Sequence, residues 1–340
     1  MGNGQLGNMN KLLYVLHFTF YILLVSCGDK AKPVDGRDSI EMKPCPTFVA
    51  DNAMNYIQRQ CALGPRVPGT QGWQRCGDSI AAWFRNFGLE VSEQNTKVRG
   101  FRGVVLPCRN ISAHLNPEAT ERILLCAHWD SRPWADNDPN LVNHNKPVLA
   151  ANDGASGVAV MIELARLLSS DKEFKTGIDF VCFDVEDYGT PQWAYDSKQT
   201  EESTWCLGSK AWCEQAASQG YQARYGVLFD MVGGRGSTFS KELVSQYYAN
   251  SVVEKLWNIA QQLGYGQFFP LREGSTLVDD HVNVNQITHI PCIDIVPFHE
   301  DGPSPFGPTW HTVNDTPENI DPYVLEAVGQ SVLQMIYNDI

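Results

Sequence analysis

Two adjacent carboxylates, Glu186 and Asp187, closely follow a mostly apolar run at residues 178–183. The run has the composition of a buried strand, and side chains at the carboxyl end of a strand in an α/β sheet lie where ligands bind. Neighbouring carboxylates repel each other and lose hydration when they are partly buried, so a compensating charge is expected. A divalent cation would supply that charge, although adjacent acids are also common on solvated turns.

Five further places in the chain carry Asp or His at or near a predicted strand end. In chain order they are His128 with Asp130, Asp153, Asp230, Asp279 in a DDH motif, and His311 after Trp310. Any one of them could be a turn, a helix cap or a structural histidine. Together with the acidic pair they indicate a metal site along one edge of the sheet. Carboxylate and imidazole ligands without a nearby thiolate favour catalytic zinc, which keeps a coordination position for water or substrate.

Predicted helices and strands alternate along the chain from Cys45 onward. The hydrophobic periodicity predicts helices at 48–63, 73–87, 157–168, near 210–217, 251–263 and 322–338, and strands at 89–96, 104–115, 123–127, 178–183, 225–229 and 293–296. This alternation predicts one α/β domain whose largely parallel sheet is covered by helices on both faces.

The composition bounds the size of the core and the class of partner. The chain has 340 residues, of which 43% are hydrophobic, so it can bury a sizeable core. Its net charge of −13 argues against a nucleic-acid partner, because a phosphate-binding surface requires clustered Lys and Arg.

The N-terminus has the pattern of an export signal. Lys11 precedes an apolar run at 12–25 that is too short to span a membrane as a helix, and translation could start at Met1 or Met9. The ending Leu-Val-Ser-Cys27 resembles a bacterial lipobox, in which the cysteine becomes the lipidated first residue. We therefore expect a lipoprotein signal peptide at 1–27, a polar tether at 28–44 and a catalytic domain at 45–340. The protein would be exported to the bacterial cell envelope as a periplasmic or outer-membrane lipoprotein, anchored to the membrane through Cys27. A cleaved secretory peptide and a short hydrophobic anchor are the alternatives.

The remaining nine cysteines are an odd number, so at least one thiol must stay free. A disulfide between Cys206 and Cys213, or between Cys45 and either Cys61 or Cys76, is compatible with the spacing. The sequence does not determine the connectivity.

Five ordered motifs carry a resemblance to a known family. They are HxD at 128–130, NDGASG at 152–157, the acidic pair at 186–187, LFDMVG at 228–233 and WHTVNDT at 310–316. These motifs resemble the zinc-dependent aminopeptidase-like family and, within it, the bacterial glutaminyl cyclases (glutaminyl-peptide cyclotransferases). The resemblance extends from about Gly64 to the C-terminus. It implies a single three-layer α/β domain around a central mixed, mostly parallel sheet.

The resemblance also implies residue roles. Asp153, Asp187 and His311 would bind zinc, Glu186 would be the general acid/base, Asp230 and Asp279 would be hydrogen-bonded behind it, and Trp193 and Trp310 would line the substrate pocket. The enzyme would convert an N-terminal Gln of peptides or proteins to pyroglutamate and release ammonia, with one zinc ion. Two departures stand out: Asp187 replaces the Glu of many relatives, and Asp294 replaces a His of animal cyclases, which fits the bacterial branch.

Two other functions fit the same residues. An aminopeptidase would bind two zinc ions, with Asp153 bridging them and His128 and Asp230 at the second ion, and Asp130 would lie at or behind that ion. A surface lipoprotein could instead keep the fold for binding peptides or glycans. The tryptophans, the DDH motif and the WADND segment at 134–138 favour the cyclase, by resemblance.

Overall fold

The computed structural model describes residues 40–195 and 203–339. The predicted signal peptide and Cys27 lie outside the described residues. One compact unit extends from Ile40 to the C-terminus. Lys43 contacts the C-terminal helix: its amide donates to Asn338 Oδ1 at 3.0 Å, and Gln334 Nε2 donates to its carbonyl at 2.7 Å.

A six-stranded mixed sheet forms the middle layer of the domain. In chain order its strands are β1 Glu90–Arg99, β2 Val105–Leu115, β3 Arg122–His128, β4 Gly177–Phe183, β5 Gly226–Phe229 and β6 Cys292–Ile295. In space the order is β1-β2-β4-β3-β5-β6. The first two strands form an antiparallel hairpin, β2 is antiparallel to β4, and all remaining pairs are parallel.

Helices cover both faces of this sheet. They are α1 Ala50–Cys61, α2 Gln71–Asn86, α3 Ala155–Ser170, α4 Leu207–Ser218, α5 Leu243–Gln262, α6 Asp280–Asn283 and α7 Pro322–Asn338, with a π-turn at Val284–Thr288 and 3₁₀ turns at Phe101–Gly103, Leu141–Asn143, Gln192–Ala194 and Pro317–Asn319. Because side chains alternate along a strand, Leu125 of β3 packs on the face covered by α1, α2, α3, α5 and α7, while Leu124 packs on the face covered by α4. Both faces are apolar, and the predicted three-layer α/β fold is confirmed.

The predicted elements occur at the predicted places, with one large boundary error. Helix α5 begins at Leu243 rather than at 251, because the Glu242 side chain caps two earlier turns that a kink at Ala249 joins to the predicted helix. The short helix α6 was not predicted, since four residues carry no periodic signal.

Each of the nine cysteines in the described part of the chain is a free thiol. The pairing of Cys206 with Cys213 is excluded by the helix between them: Cys206 is the N-cap of α4, and a rise of 1.5 Å per residue puts Cys213 about 10 Å further along. Neither Cys61 nor Cys76 pairs with Cys45. Across the described ranges, no helix has the length and apolarity needed to cross a membrane.

Candidate metal and catalytic site

The carboxyl ends of three parallel strands bring the site together. Strands β3, β4 and β5 are neighbours in the sheet and run in the same direction, so the residues that follow them meet at one edge. His128 ends β3, the acidic pair follows β4, and Asp230 follows β5. The turn at 152–154 before α3 and the segment around His311 close the site.

Asp153, Asp187 and His311 form a compact, buried set of metal-ligand atoms. One ligand atom from each of the three lies within 4.8 Å of the other two. His311 Nε2 lies 3.2 Å from Asp187 Oδ1 and 3.7 Å from Asp153 Oδ2. Asp187 Oδ2 is buried and has no hydrogen-bond partner among the described residues, which is costly for a carboxylate unless a cation binds there. The donor set therefore fits a zinc ion.

The other nitrogen of His311 faces a buried ion pair. His311 Nδ1 lies 3.3 Å from Asp136 Oδ1, and the Arg132 guanidinium donates to both oxygens of Asp136 at 2.9 and 2.6 Å. Burial raises the pKa of the Asp136 carboxyl, but Arg132 and His311 lower it by more, so the pKa stays well below its usual range. A carboxylate behind a ligand histidine fixes the ring and directs the opposite nitrogen to the metal. Arg132 also donates to the Asp187 carbonyl at 3.0 Å, so one cation orients two of the candidate ligands.

The loop that carries Asp153 is held by a second buried acid. Asp315 accepts hydrogen bonds from the amides of Asn152 and Asp153, at 2.8 and 3.1 Å. Gly154 follows, and a Cβ at this position would lie 2.4 Å from the His128 carbonyl oxygen. Only glycine permits this close approach of the loop to the end of β3.

His128 lies between three carboxylates on the other side of Asp153. Its Nε2 lies 3.0 Å from Asp153 Oδ1 and 3.1 Å from Asp230 Oδ1, and its Nδ1 lies 3.4 Å from Asp130. Burial lowers the pKa of His128, but these carboxylates raise it well above its usual value. His128, Asp153 and Asp230 form a second possible set of ligands that shares Asp153 with the first.

Asp130 positions Glu186 and Asp187 by accepting hydrogen bonds from their backbone amides. Its two oxygens accept hydrogen bonds from the amides of Glu186 and Asp187, at 3.1 and 3.2 Å. The preceding residue, Val185, has a φ of 52°, a conformation that is rare for a β-branched side chain. Met231 and His311 also have left-handed φ angles, of 51° and 53°. Such residues cost on the order of 1–3 kcal/mol each, and here all three lie at or beside candidate site residues.

Glu186 lies in an environment that favours its protonated form. Its Oε1 is 3.4 Å from the Cys206 thiol, and a ligand atom of Asp279 lies in the same cluster. Burial raises the pKa of Glu186 well above its usual value, and the charges of Asp187 and Asp279 add to that rise, while His128 lowers it. A carboxylate whose pKa is raised is a better proton acceptor than an ordinary one, and it can return the proton in a later step.

An aromatic cleft of about 250 Å³ opens onto these groups. Its apolar lining consists of Trp205, Met231, Leu277, Val278, Phe306 and Trp310. Trp205 stacks on the imidazole of His311, with ring centroids 6.0 Å apart and planes inclined by 6°, and the Arg132 guanidinium lies 4.5 Å from the Trp205 ring. Trp310 stacks against His311 at 3.8 Å.

Trp193 does not line the cleft in the part of the chain that the structure describes. Its side chain is 47% exposed and contacts Trp134 and His144 instead. Trp205, which no sequence motif singled out, lines the cleft beside His311, and the pocket role of Trp193 stays a prediction. Trp205 precedes Cys206, the N-cap of α4, and nothing in its own neighbourhood of the sequence indicates that it meets His311.

Sequence comparison decides the family. The profile of peptidase family M28 matches residues 110–336, which is more than half of the chain. This chain belongs to peptidase family M28.

Solved structures of similar proteins cover nearly the whole described domain of this M28 chain. Bacteroides thetaiotaomicron glutaminyl cyclase bound to N-acetylhistamine is 45% identical with a TM-score of 0.83, and the match covers 87% of this chain and 99% of that one. Tannerella forsythia glutaminyl cyclase is 47% identical with a TM-score of 0.82, over 86% and 99%. A Zn-dependent exopeptidase from Parabacteroides distasonis is 42% identical with a TM-score of 0.83, over 87% and 100%. Matches to curated relatives span between 32% and 77% of the length of those proteins. The expected resemblance to bacterial glutaminyl cyclases is confirmed.

The M28 site contains every candidate ligand predicted from the sequence. Asp153, Asp187 and His311 lie together, and so do His128 and Asp230. Sequence reasoning missed the roles of Arg132, Asp136 and Asp315. Asp136 lies in the WADND segment and Asp315 in the WHTVNDT motif, so the motifs contained these residues without revealing what they contact.

Proposed function

We propose that this M28 protein is a zinc-dependent glutaminyl-peptide cyclotransferase that acts on peptides or proteins with an N-terminal Gln. The observation that carries the proposal is the narrow aromatic cleft formed by Trp205 and Trp310 around His311, directly beside Glu186. A cleft of this size fits one side chain and its amino terminus. The similarity to solved glutaminyl cyclases supports the same substrate class.

The reaction requires one bond to form and one to break within a single residue. The α-amine of the N-terminal Gln attacks its own side-chain amide carbon, and a five-membered lactam closes. The carbon–nitrogen bond of the amide then breaks and ammonia leaves. One proton must move from the attacking amine to the leaving nitrogen.

Asp153, Asp187 and His311 would hold a single zinc ion. When bound there, zinc would act as a Lewis acid toward the amide oxygen of the substrate. The remaining chemistry belongs to residues of the chain. Arg132 and Asp136 hold His311 in its orientation, so the ligand geometry is preorganised.

Glu186 is the group that would move the proton. It would accept the proton of the attacking amine and donate it to the leaving ammonia, as a general base and then a general acid. The indole rings of Trp205 and Trp310 would hold the substrate in its folded conformer, which brings nucleophile and electrophile together. The same rings would keep water from the carbonyl carbon, so that hydrolysis does not compete.

The test is the product formed from a Gln-initiated peptide by the purified protein loaded with zinc. We expect a peptide lighter by one ammonia, together with an equal amount of free ammonia. The matched control is the same peptide beginning with Asn, whose shorter side chain would have to close a strained four-membered ring. Formation of neither pyroglutamate nor ammonia from the Gln peptide would reject the proposal.

A two-metal aminopeptidase is the second candidate, and the cluster of His128, Asp153 and Asp230 favours it. His128, Asp153, Asp187, Asp230 and His311 would hold two zinc ions, whose chemistry would supply an activated water molecule for peptide hydrolysis. The same experiment separates the two functions, since an aminopeptidase would release free glutamine and a shortened peptide. The proposed cyclase with one ion requires a zinc content of about one per chain.

We also propose that the protein is exported and anchored to the cell envelope through a lipid on Cys27. The support is the apolar run at 12–25 and the lipobox-like ending at Cys27. Labelling with a fatty-acid analogue in a bacterial host should mark the wild-type protein and leave Cys27→Ala unlabelled. Equal labelling of both would reject the lipid anchor.

A further inference from the structure

One wall of the aromatic cleft is a segment without regular secondary structure. Residues 275–278 belong to no helix or strand, yet Leu277, Val278 and Asp279 line the cleft. Val278 is 74% exposed, so core packing does not hold this part of the wall in place. Some other contact must fix the segment, because a mobile wall would not position a substrate.

Asp279 is the polar member of this wall and has acidic neighbours on both sides. It shares one cluster with Glu186 and Cys206, and a second with His281 and Asp294. Burial raises the pKa of Asp279, and His281, the Asp280 amide, His128 and a hydrogen bond with Asp294 offset that rise only in part. The contacts that fix the backbone on either side of Asp279 therefore also set where this residue lies relative to Glu186.

The side chain of Glu242 contacts the segment at two points. Its Oε1 accepts a hydrogen bond from the Leu277 amide at 3.1 Å, and its Oε2 lies 3.2 Å from His281 Nε2. Leu277 and His281 flank Asp279 at equal distance in the sequence. The Glu242 carboxylate therefore contacts the wall segment on both sides of Asp279, the residue that lies near Glu186.

The same carboxylate is itself fixed to a long helix. Glu242 is the N-cap of α5, and its oxygens accept hydrogen bonds from the amides of Val244 and Ser245, at 2.8 and 2.6 Å. Its side chain is 2% exposed. Burial raises the pKa of Glu242, but His281 and the helix amides lower it to about 2, so the group is ionised at neutral pH. Ser245 also accepts a hydrogen bond from the Asp294 amide at 2.9 Å, which ties the neighbouring strand to the same helix end.

We propose that Glu242 is a positioning residue of the active site, which places Asp279 and the Leu277–Val278 wall against the substrate from the N-terminus of α5. The inference rests on the proposed cyclotransferase function for its kinetic consequence. The structural consequence, which is the restraint of residues 277–281, does not depend on that function.

Glu242→Gln tests this proposal, with Asp321→Asn as the matched control. Both changes neutralise a buried or half-buried carboxylate that caps a helix, since Asp321 caps α7 through the Tyr323 amide. Only Glu242 also contacts the wall segment. We expect Glu242→Gln to lower kcat by about 100-fold, the size of effect expected for misplacement by about 1 Å, while zinc content stays at the wild-type value. Asp321→Asn should leave kcat within about two-fold of wild type, because Asn is an equally good N-cap.

Hydrogen exchange gives a readout that does not depend on activity. The amides of residues 277–279 should exchange faster in Glu242→Gln than in wild type, and at the wild-type rate in Asp321→Asn. Unchanged exchange, or an unchanged kcat per folded molecule, would overturn the proposal. If the wild type forms no pyroglutamate, the proposed function fails, and exchange alone decides whether Glu242 restrains the wall.

Glu242→Asp covers the case in which the Gln variant does not fold. This change keeps the charge and the helix cap but shortens the reach to Leu277 and His281. We expect faster exchange at 277–279 and a lower kcat with an intact helix α5. Wild-type kcat and exchange in this variant would also overturn the proposal.

Discussion

The buried carboxylates at the two ends of strand β4 differ in their hydrogen-bond and charge partners. Near its start, Asp179 accepts hydrogen bonds from the Arg122 guanidinium at 2.7 and 2.6 Å and from the Tyr221 hydroxyl at 2.7 Å, and His114 Nδ1 lies 2.6 Å away. Past its end, Asp187 keeps a buried oxygen without a hydrogen-bond partner in the described chain, and Glu186 faces other acids. Both ends are buried, so the difference is one of partners.

The pKa values follow the partners. Burial raises the pKa of Asp179, but His114, Arg122 and Tyr221 lower it to about 2. At the other end, burial and neighbouring acids raise the pKa values of both Glu186 and Asp187, and His128, His311 and Arg132 offset the rise only in part. Other residues of the chain compensate the charge of Asp179, which stabilises the fold. Asp187 instead remains available to bind a metal ion, and Glu186 to transfer a proton.

The strongest test of this contrast is Glu186→Gln. We expect kcat for pyroglutamate formation to fall by about 10³-fold, because proton transfer by a positioned side chain contributes on that scale. Thermal stability should stay the same or rise, since the change removes an uncompensated acid. The measurement is kcat together with the unfolding midpoint at neutral pH. A variant that keeps near wild-type turnover would show that Glu186 does not carry the proton.

Asp179→Asn should have the reverse phenotype. It leaves the Arg122 guanidinium, which is 12% exposed, without its charged partner, and the expected loss of unfolding free energy is about 3 kcal/mol. Turnover per folded molecule should remain at the wild-type value. Denaturant unfolding and kcat measured on the same preparation check both halves. A loss of activity larger than the loss of folded protein would contradict a purely structural role.

Removal of zinc should affect only the carboxyl end of the strand. Treatment with a heterocyclic chelator should abolish turnover, and a zinc concentration of about 100 times Kd should restore it and add about 2.7 kcal/mol to the unfolding free energy. In Asp179→Asn the zinc-dependent increment should be unchanged, because the two sites are independent. If the increment is lost in that variant, the two ends of β4 are coupled.

The smallest expected effect is on the unfolding free energy at acid pH. Because the pKa of Asp179 is about 2 in the folded state, below the ordinary value of about 3.8, its contribution is fully present above about pH 4 and is lost as the pH falls toward 2. The loss is about 2 kcal/mol. Unfolding free energies of wild type and Asp179→Asn between pH 5 and 2 should therefore converge. Parallel curves would show that Asp179 does not titrate with folding.

The local sequence determined much of the fold because its signals are short in range. Helix α7 was predicted with the bounds that the structure shows, since Asp321 caps it and Pro322 occupies its first turn. The apolar strands and the acids that follow them were also readable, because a parallel sheet collects its carboxyl ends at one edge. The candidate ligands Asp153, Asp187 and His311 were found in this way, with help from the ordered motifs of a known family.

Only the tertiary structure decided which side chains surround those ligands. Trp205 rather than Trp193 stacks on His311, Arg132 joins Asp136 to Asp187, and Glu242 restrains the wall that carries Asp279. Each of these contacts joins different loops and depends on how those loops pack, which neither periodicity nor capping rules encode. Likewise, the short spacing between Cys206 and Cys213 is compatible with a disulfide that the rigid geometry of α4 excludes. The residue types at the site were therefore determined by the sequence, and their partners by the packing of loops that are distant in the chain.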